Sequence, residues 1–200
     1  MVTTSTQYTK TAVVLHWLIG LGIIFMLALG WYMCDLPKEG AKTAVFNLFD
    51  LGLYHLQLTE ALSPRTFYFN LHKSIGVTVL ALIALRILWR ITHKPPAMLE
   101  SHKLWEKKLA HATHHTLYLL MIAMPLSGLI MAAYSKYGVK WFGTQLIAGL
   151  DDNAKREIFV EIHEFLALVF AVVIVLHVLG ALKHLVIDKD GTLKRMSLLK

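Results

Sequence analysis

Eleven histidines stand in a chain of 200 residues. Eight of them, His16, His72, His111, His114, His115, His163, His177 and His184, fall within or at the ends of long apolar runs. An ionisable side chain in such a run is costly to keep and points to a bound group or a transport path; the plainer reading of any one of them is interfacial decoration. His163 and His177 are the informative pair. Fourteen residues apart on one helix, they differ by about 21 Å of rise and only about 40° of rotation, so they share a face at two depths. Two imidazoles from facing helices at one depth can supply both axial nitrogens of a haem iron, and bundle cores are where such sites are built. A zinc-type site inside the runs is a weaker fit. Cysteine and carboxylate co-ligands are missing there, Glu164 points about 100° away from its neighbour His163, and the two depths are too far apart to share one ion.

The elements that must position these rings follow from composition. The chain is 56% hydrophobic and 16% charged, against about 25% charged in ordinary globular domains, and its mean hydropathy is +0.55. Disorder, collagen and a disulfide scaffold are excluded, the last because Cys34 is the lone cysteine. Four runs are long enough to cross a hydrocarbon core, and the spans are expected at about 12–33, 71–89, 109–133 and 162–186. The first is too long, and too poorly flanked by basic residues, for a cleaved signal peptide, and it is read as retained. Pro125 is expected to kink the third span. The expectation is one integral membrane domain over 1–200, an all-α four-helix bundle running up-down-up-down.

Four spans return both termini to one side. Of the 20 Lys and Arg, 12 fall on the side holding the termini and the second connection, which places both termini in the cytoplasm by the positive-inside rule. The net charge of +7 then reads as a basic fringe against anionic lipid, with no need for nucleic acid. Because the spans alternate, depth pairs His72 with His163 near the outer face and His16 with His177 near the inner one. His111 and His114 lie at the inner depth as well, and either is an alternative ligand to His16. The connection 35–70 is too polar to span and is expected to lie in the interface as a short amphipathic helix. Pro95 and Pro96 stop the second helix.

The ordered set of motifs resembles one family over essentially the whole chain, the bacterial di-haem cytochrome b561 proteins. The carriers are Leu15-His16-Trp17; Leu71-His72-Lys73-Ser74-Ile75-Gly76 with Arg86-Ile87-Leu88-Trp89-Arg90; Ala110-His111-Ala112-Thr113-His114 with Tyr118, Pro125 and Gly128; and Ile162-His163-Glu164 with His177 and His184. The resemblance implies an inner-membrane bundle enclosing two b-type haems, the outer bound by His72 and His163 and the inner by His16 and His177. Around these, Gly76 and Gly128 are the best of the glycines for close porphyrin approach, with helix contact as the plain reading. Arg86, Arg90 and Lys73 either bind haem propionates or snorkel to headgroups. His184, with Lys183 beside it, falls where the family would reduce quinone and either donates to it or decorates the interface.

Bis-His ligation leaves the iron no open position, so electrons would pass through the haem edge, and no side chain is assigned a catalytic role. The leading expectation is an oxidoreductase of the bacterial cytoplasmic membrane that carries electrons from an outer donor to ubiquinone. In some family members the donor is superoxide; Lys73 would help to steer such an anion, while Glu161 and Glu164 oppose it. The alternatives are a non-enzymatic cytochrome b subunit serving a periplasmic redox protein and a haem-free cation transporter.

Overall fold

The computed structural model describes residues 7–97, 99 and 101–198. Four long helices dominate it: α1 (Lys10–Asp35), α2 (Pro64–Thr92), α3 (Leu104–Tyr134) and α4 (Asn153–Lys183). They run past the expected spans at most ends, α4 by nine residues at its start. At about 1.5 Å per residue each exceeds the roughly 30 Å of a hydrocarbon core. Their most apolar stretches have mean hydropathies of 1.9–2.9, enough in length and composition to cross a membrane. Leu18, Leu21, Leu119, Phe165, Leu168 and Leu176 are each more than half exposed on the helix flanks. A helix that is apolar on its outer side as well as its inner one suits lipid as its solvent.

The helix starts are written locally. The Thr9 hydroxyl accepts from the Ala12 amide, the Ser63 hydroxyl from the Thr66 amide with Pro64 in the first turn, and the Asp152 carboxylate from the Lys155 amide. Pro125 lies inside α3, which continues through it to Tyr134. α1 packs along α2, α2 along α3 and α3 along α4, whereas the backbone of α4 approaches those of α1 and α2 only sparsely. Mid-bundle, Ile19, Ile23, Val79, Ile83, Leu120, Met121 and Phe170 form a buried core to which every helix contributes.

The connections hold two antiparallel hairpins that the sequence reading did not anticipate. The amphipathic helix expected within 35–70 is instead β1 (Thr43–Asn47) paired with β2 (His55–Leu62). The physical reason is the period: at His55-Leu56-Gln57-Leu58 exposed and half-buried residues alternate, which is a strand pattern and not a helical one. Phe46 stacks on Phe67 at 4.4 Å between ring centroids, and the Tyr68 hydroxyl accepts from the Phe49 amide at 2.7 Å. These contacts seat the hairpin on α1 and α2 through a second buried cluster of Leu29, Met33, Phe46, Phe67 and Tyr68. The second hairpin, β3 (Val139–Trp141) and β4 (Thr144–Ile147), turns through Phe142 and Gly143, both at positive φ, as a two-residue hairpin turn requires. It is pinned to α2 by Trp141 Nε1 donating to Thr78 Oγ1 at 3.0 Å and the Phe142 amide donating to Ser74 Oγ at 3.0 Å.

Both hairpins cap one end of the bundle, here the hairpin end. At the other, the terminal end, residues 184–198 fold back beneath the helices. Trp17 Nε1 donates to the Met196 carbonyl at 2.9 Å, and Trp89 Nε1 donates to Thr9 Oγ1 at 2.9 Å.

One side chain closes the C-terminus of α1. The Arg65 guanidinium donates to the carbonyls of Met33, Cys34 and Leu36 at 3.3, 3.1 and 2.7 Å, groups that a helix end otherwise leaves unpaired. Arg65→Met is expected to cost about 1.5–3 kcal/mol, the range for hydrogen bonds to a charged group. Thermal unfolding of the detergent-purified protein measures it, and an unchanged midpoint would refute the role.

Candidate functional site

At the hairpin end the structure brings His72 of α2 and His163 of α4 together, with ring centroids 6.3 Å apart and planes at 83°. The two rings come from helices whose backbones do not pack closely, so their side chains face each other across the gap. His163 Nδ1 lies 3.0 Å from Ser127 Oγ and 3.2 Å from the Met124 carbonyl, while Ser127 Oγ itself donates to Met124 O at 2.7 Å. The hydrogen on His163 is therefore on Nδ1, which leaves the Nε2 lone pair for a metal. His72 Nδ1 is buried with no hydrogen-bond partner among the described residues, an arrangement that costs free energy unless the ring serves another group.

A largely apolar open cavity adjoins both rings and runs down to Ile83 and Phe170. Lys73, Gly76, Pro125 and Gly128 also line it. Gly128 faces His163 so closely that a Cβ there would stand 2.8 Å from Cε1. Gly76 instead faces the Met26 side chain, 3.4 Å from where its Cβ would be. Gly30, absent from the glycines expected near a porphyrin, stands against His72, whose Cε1 would lie 3.5 Å from a Cβ at that position; a contact between residues 42 apart leaves no signal in local spacing. Lys73 reaches the Gly138 carbonyl at 3.4 Å and lies in the field of Arg156 and Lys140.

At the terminal end three rings gather. His16 of α1 and His177 of α4 have centroids 6.1 Å apart at 73°, and His114 of α3 approaches His177 to 5.4 Å. Arg86 lies beside them: its guanidinium donates to the Ala12 carbonyl and to His16 Nδ1, both at 3.3 Å, and sits over Tyr118 at 5.9 Å. His111 is exposed and pairs with His115, whose Nδ1 lies 2.6 Å from the His111 carbonyl; it is not drawn into the trio. Arg90 is exposed.

Lys183 and His184 go elsewhere. Lys183 Nζ is held by Glu106 at 2.8 Å and Asp188 at 2.6 Å, and His184 Nδ1 by Asp190 at 2.7 Å. His102, which reads as a loop residue in the sequence, joins Asp190 at 2.9 Å. No spacing rule reveals that contact, because it links residues 88 positions apart. Burial acts to raise the Asp190 pKa, but hydrogen bonds from the Thr192 hydroxyl and amide, from His184 and from His102 outweigh it and hold the carboxyl well below the usual range.

The two histidine groups thus lie at opposite ends of one bundle, with the Ile19, Ile23, Val79, Ile83, Leu120, Met121 and Phe170 core between them. On α4 the order is His163, Phe170, His177, seven residues apart at each step. A family model described as prokaryotic cytochrome b561 matches residues 7–197. "Cytochrome b561 homolog 2" of Escherichia coli (strain K12) is 32% identical over 195 residues, covering 96% of this chain and 92% of that protein. "Cytochrome b561 homolog 1" of the same organism is 27% identical over 195 residues, covering 95% and 96%. A "Probable superoxide oxidase CybB" of Yersinia pestis is 34% identical over 129 residues, covering 63% of this chain and 72% of its own. The chain belongs to the prokaryotic cytochrome b561 family of membrane electron-transfer proteins, for which b-type haem is the implied cofactor.

Proposed function

We propose that the chain is a di-haem cytochrome b of the bacterial cytoplasmic membrane, with both termini inside, that carries electrons from a donor at the hairpin end to ubiquinone at the terminal end. The observation that carries this reading is the spacing of the two ring pairs. A ring bound to a metal through a bond of about 2.0–2.1 Å has its centroid about 3 Å from the ion, so a shared axial pair stands about 6 Å apart. His72 with His163, at 6.3 Å, and His16 with His177, at 6.1 Å, meet that requirement. The orphaned His72 Nδ1 and the cavity beside it support the first site. Bound haem would supply one-electron exchange, with no open iron position when both axial places are filled.

The protein's own side chains do the rest. Ser127 and Met124 fix the tautomer of His163. With haem bound, His16 would carry its hydrogen on Nδ1, and Arg86, which donates to that nitrogen here, would be available to hold a propionate. The apolar core keeps water from joining the two sites. Lys73, Lys140 and Arg156 place positive charge around the outer site, which favours a small anion such as superoxide and counters Glu161 and Glu164. At the other end quinone reduction consumes protons, and His184 and Lys183 lie in a network with Glu106, Asp188 and Asp190 that can pass them. A second reading, a cytochrome subunit serving a periplasmic redox protein, is favoured by the tip of the first hairpin. There Leu51, Leu53 and Tyr54 are 63%, 84% and 61% exposed and offer an apolar contact. A haem-free cation transporter is at odds with membership in a cytochrome family.

Haem content separates the pairs. His72→Ala and His163→Ala are each expected to abolish the same one of two haem signals, and His16→Ala and His177→Ala the other, while His114→Ala keeps both. Loss of a common signal by His16→Ala and His163→Ala would overturn the pairing, and loss in His114→Ala would make that residue the ligand. Gly128→Ala, which forces the His163 ring to move, is expected to deplete the His163 haem and spare its neighbour; equal loss of both would point to general unfolding. For the reaction, superoxide generated beside the purified chain should reduce its haem and then added ubiquinone. No such reduction, with turnover restored by a periplasmic donor protein, would favour the subunit reading.

A further inference from the structure

Beneath the terminal end, His102 from the connection before α3, His184 at the end of α4 and Asp190 from the C-terminal segment converge on one point. His102 Nε2 lies 2.9 Å from Asp190 Oδ2 and His184 Nδ1 lies 2.7 Å from the same oxygen. All three ligand atoms fall within 4.8 Å of one another. The rings face each other at 4.5 Å between centroids, and the three side chains are only 9–16% exposed. None of them belongs to the haem-type pairs.

The carboxylate is aimed. Its other oxygen, Oδ1, accepts from the Thr192 amide at 2.9 Å and the Thr192 hydroxyl at 2.6 Å, which turns Oδ2 toward the imidazoles. Partners of this kind, behind a ligand, orient it and raise metal affinity. Asp188 Oδ2 also lies 3.0 Å from His184 Nδ1 but is engaged by Lys183 at 2.6 Å, so it stays with the ammonium.

From this geometry we infer that His102, Asp190 and His184 form a binding site for a zinc-class divalent ion, with Nε2, Oδ2 and Nδ1 as ligands and a solvent molecule as the fourth. Two imidazoles and one carboxylate suit zinc and its neighbours better than magnesium or calcium, which prefer oxygen. Ligands at about 2.0–2.1 Å around a tetrahedral ion stand about 3.3 Å apart, so the hydrogen-bonded atoms need spread by only about half an ångström. Neutral imidazoles accommodate the ion by moving their hydrogens to His102 Nδ1 and His184 Nε2. Three protein ligands with one open position describe an exchangeable site and not a closed structural one. Its effect is to fasten the C-terminal segment, already tied to α1 through Trp17 and Met196, across the end of the bundle where His16, His114 and His177 lie. The site shares His184 and Asp190 with the proton-passing network proposed above, but its geometry rests on none of the haem-pair histidines.

The test uses the full-length haem-loaded protein in detergent, free of any polyhistidine tag, stripped with chelator and dialysed against micromolar zinc chloride. Elemental analysis should find about one zinc per chain, and Asp190→Asn and His102→Ala should each weaken retention at least tenfold with the haem spectrum unchanged. His93→Ala, at an exposed position just past α2, should leave zinc uptake as it was. Zinc uptake by the wild type no greater than by Asp190→Asn would overturn the site. Should a variant lose haem, X-ray absorption at the zinc edge of the wild type decides: two imidazoles with oxygen support the assignment, and a shell of water or a single imidazole refutes it.

Discussion

An imidazole placed inside a membrane bundle must satisfy two ring nitrogens where there is little water, and the layout of this protein follows from how that is done. His163 meets the demand with Ser127 and the Met124 carbonyl on one nitrogen, leaving the other toward the cavity. His72 leaves Nδ1 without a partner among the described residues. Polar atoms in hydrocarbon surroundings are tolerated when a bound group or a neighbouring helix serves them. Where the backbones of α4 and α2 stay apart at the hairpin end, the cavity beside His72 and His163 is where that service is possible. α3 stays close to α4 and supplies both Ser127 and the bare Gly128 against the His163 ring.

The apolar middle of the bundle has a different task. Ile19 and Ile23 from α1, Val79 and Ile83 from α2, Leu120 and Met121 from α3 and Phe170 from α4 form one layer between the two histidine groups. Because each helix contributes to it, the layer fixes the relative height of all four and so sets which histidines meet. A slip of one residue in α4 would turn His163 and His177 together by about 100°, away from both partners. Register in the core and pairing at the two ends are the same constraint.

The two ends are closed differently. Ring stacking and side-chain hydrogen bonds hold the hairpins over the His72–His163 pair, from Phe46 on Phe67 to Trp141 on Thr78. At the terminal end charge dominates, with Lys183 between Glu106 and Asp188 and with Asp190 between two histidines. Removing one partner of such a pair, partly shielded from water, costs more than removing one from an exposed pair. A long turn of π type at 184–188 carries His184 out of the α4 helix and into that cluster.

The four helices and the family were legible in the sequence because lipid imposes a simple rule, a run of about 20 apolar residues per crossing, and because helical geometry sets the phase of His163 against His177. Depth drew His72 toward His163 and left His16, His111 and His114 as candidates to face His177, of which the structure brings His16 and His114 to it. What the sequence could not decide was anything resting on contacts between distant residues. The hairpin of β1 and β2 was hidden in a stretch whose apolar content suggested an interfacial helix, and only its two-residue alternation spoke for a strand. Gly30 against His72, Arg86 on His16 and His102 with Asp190 join positions 42 or more apart. Local spacing carries no information about such meetings; the packing of the helices creates them.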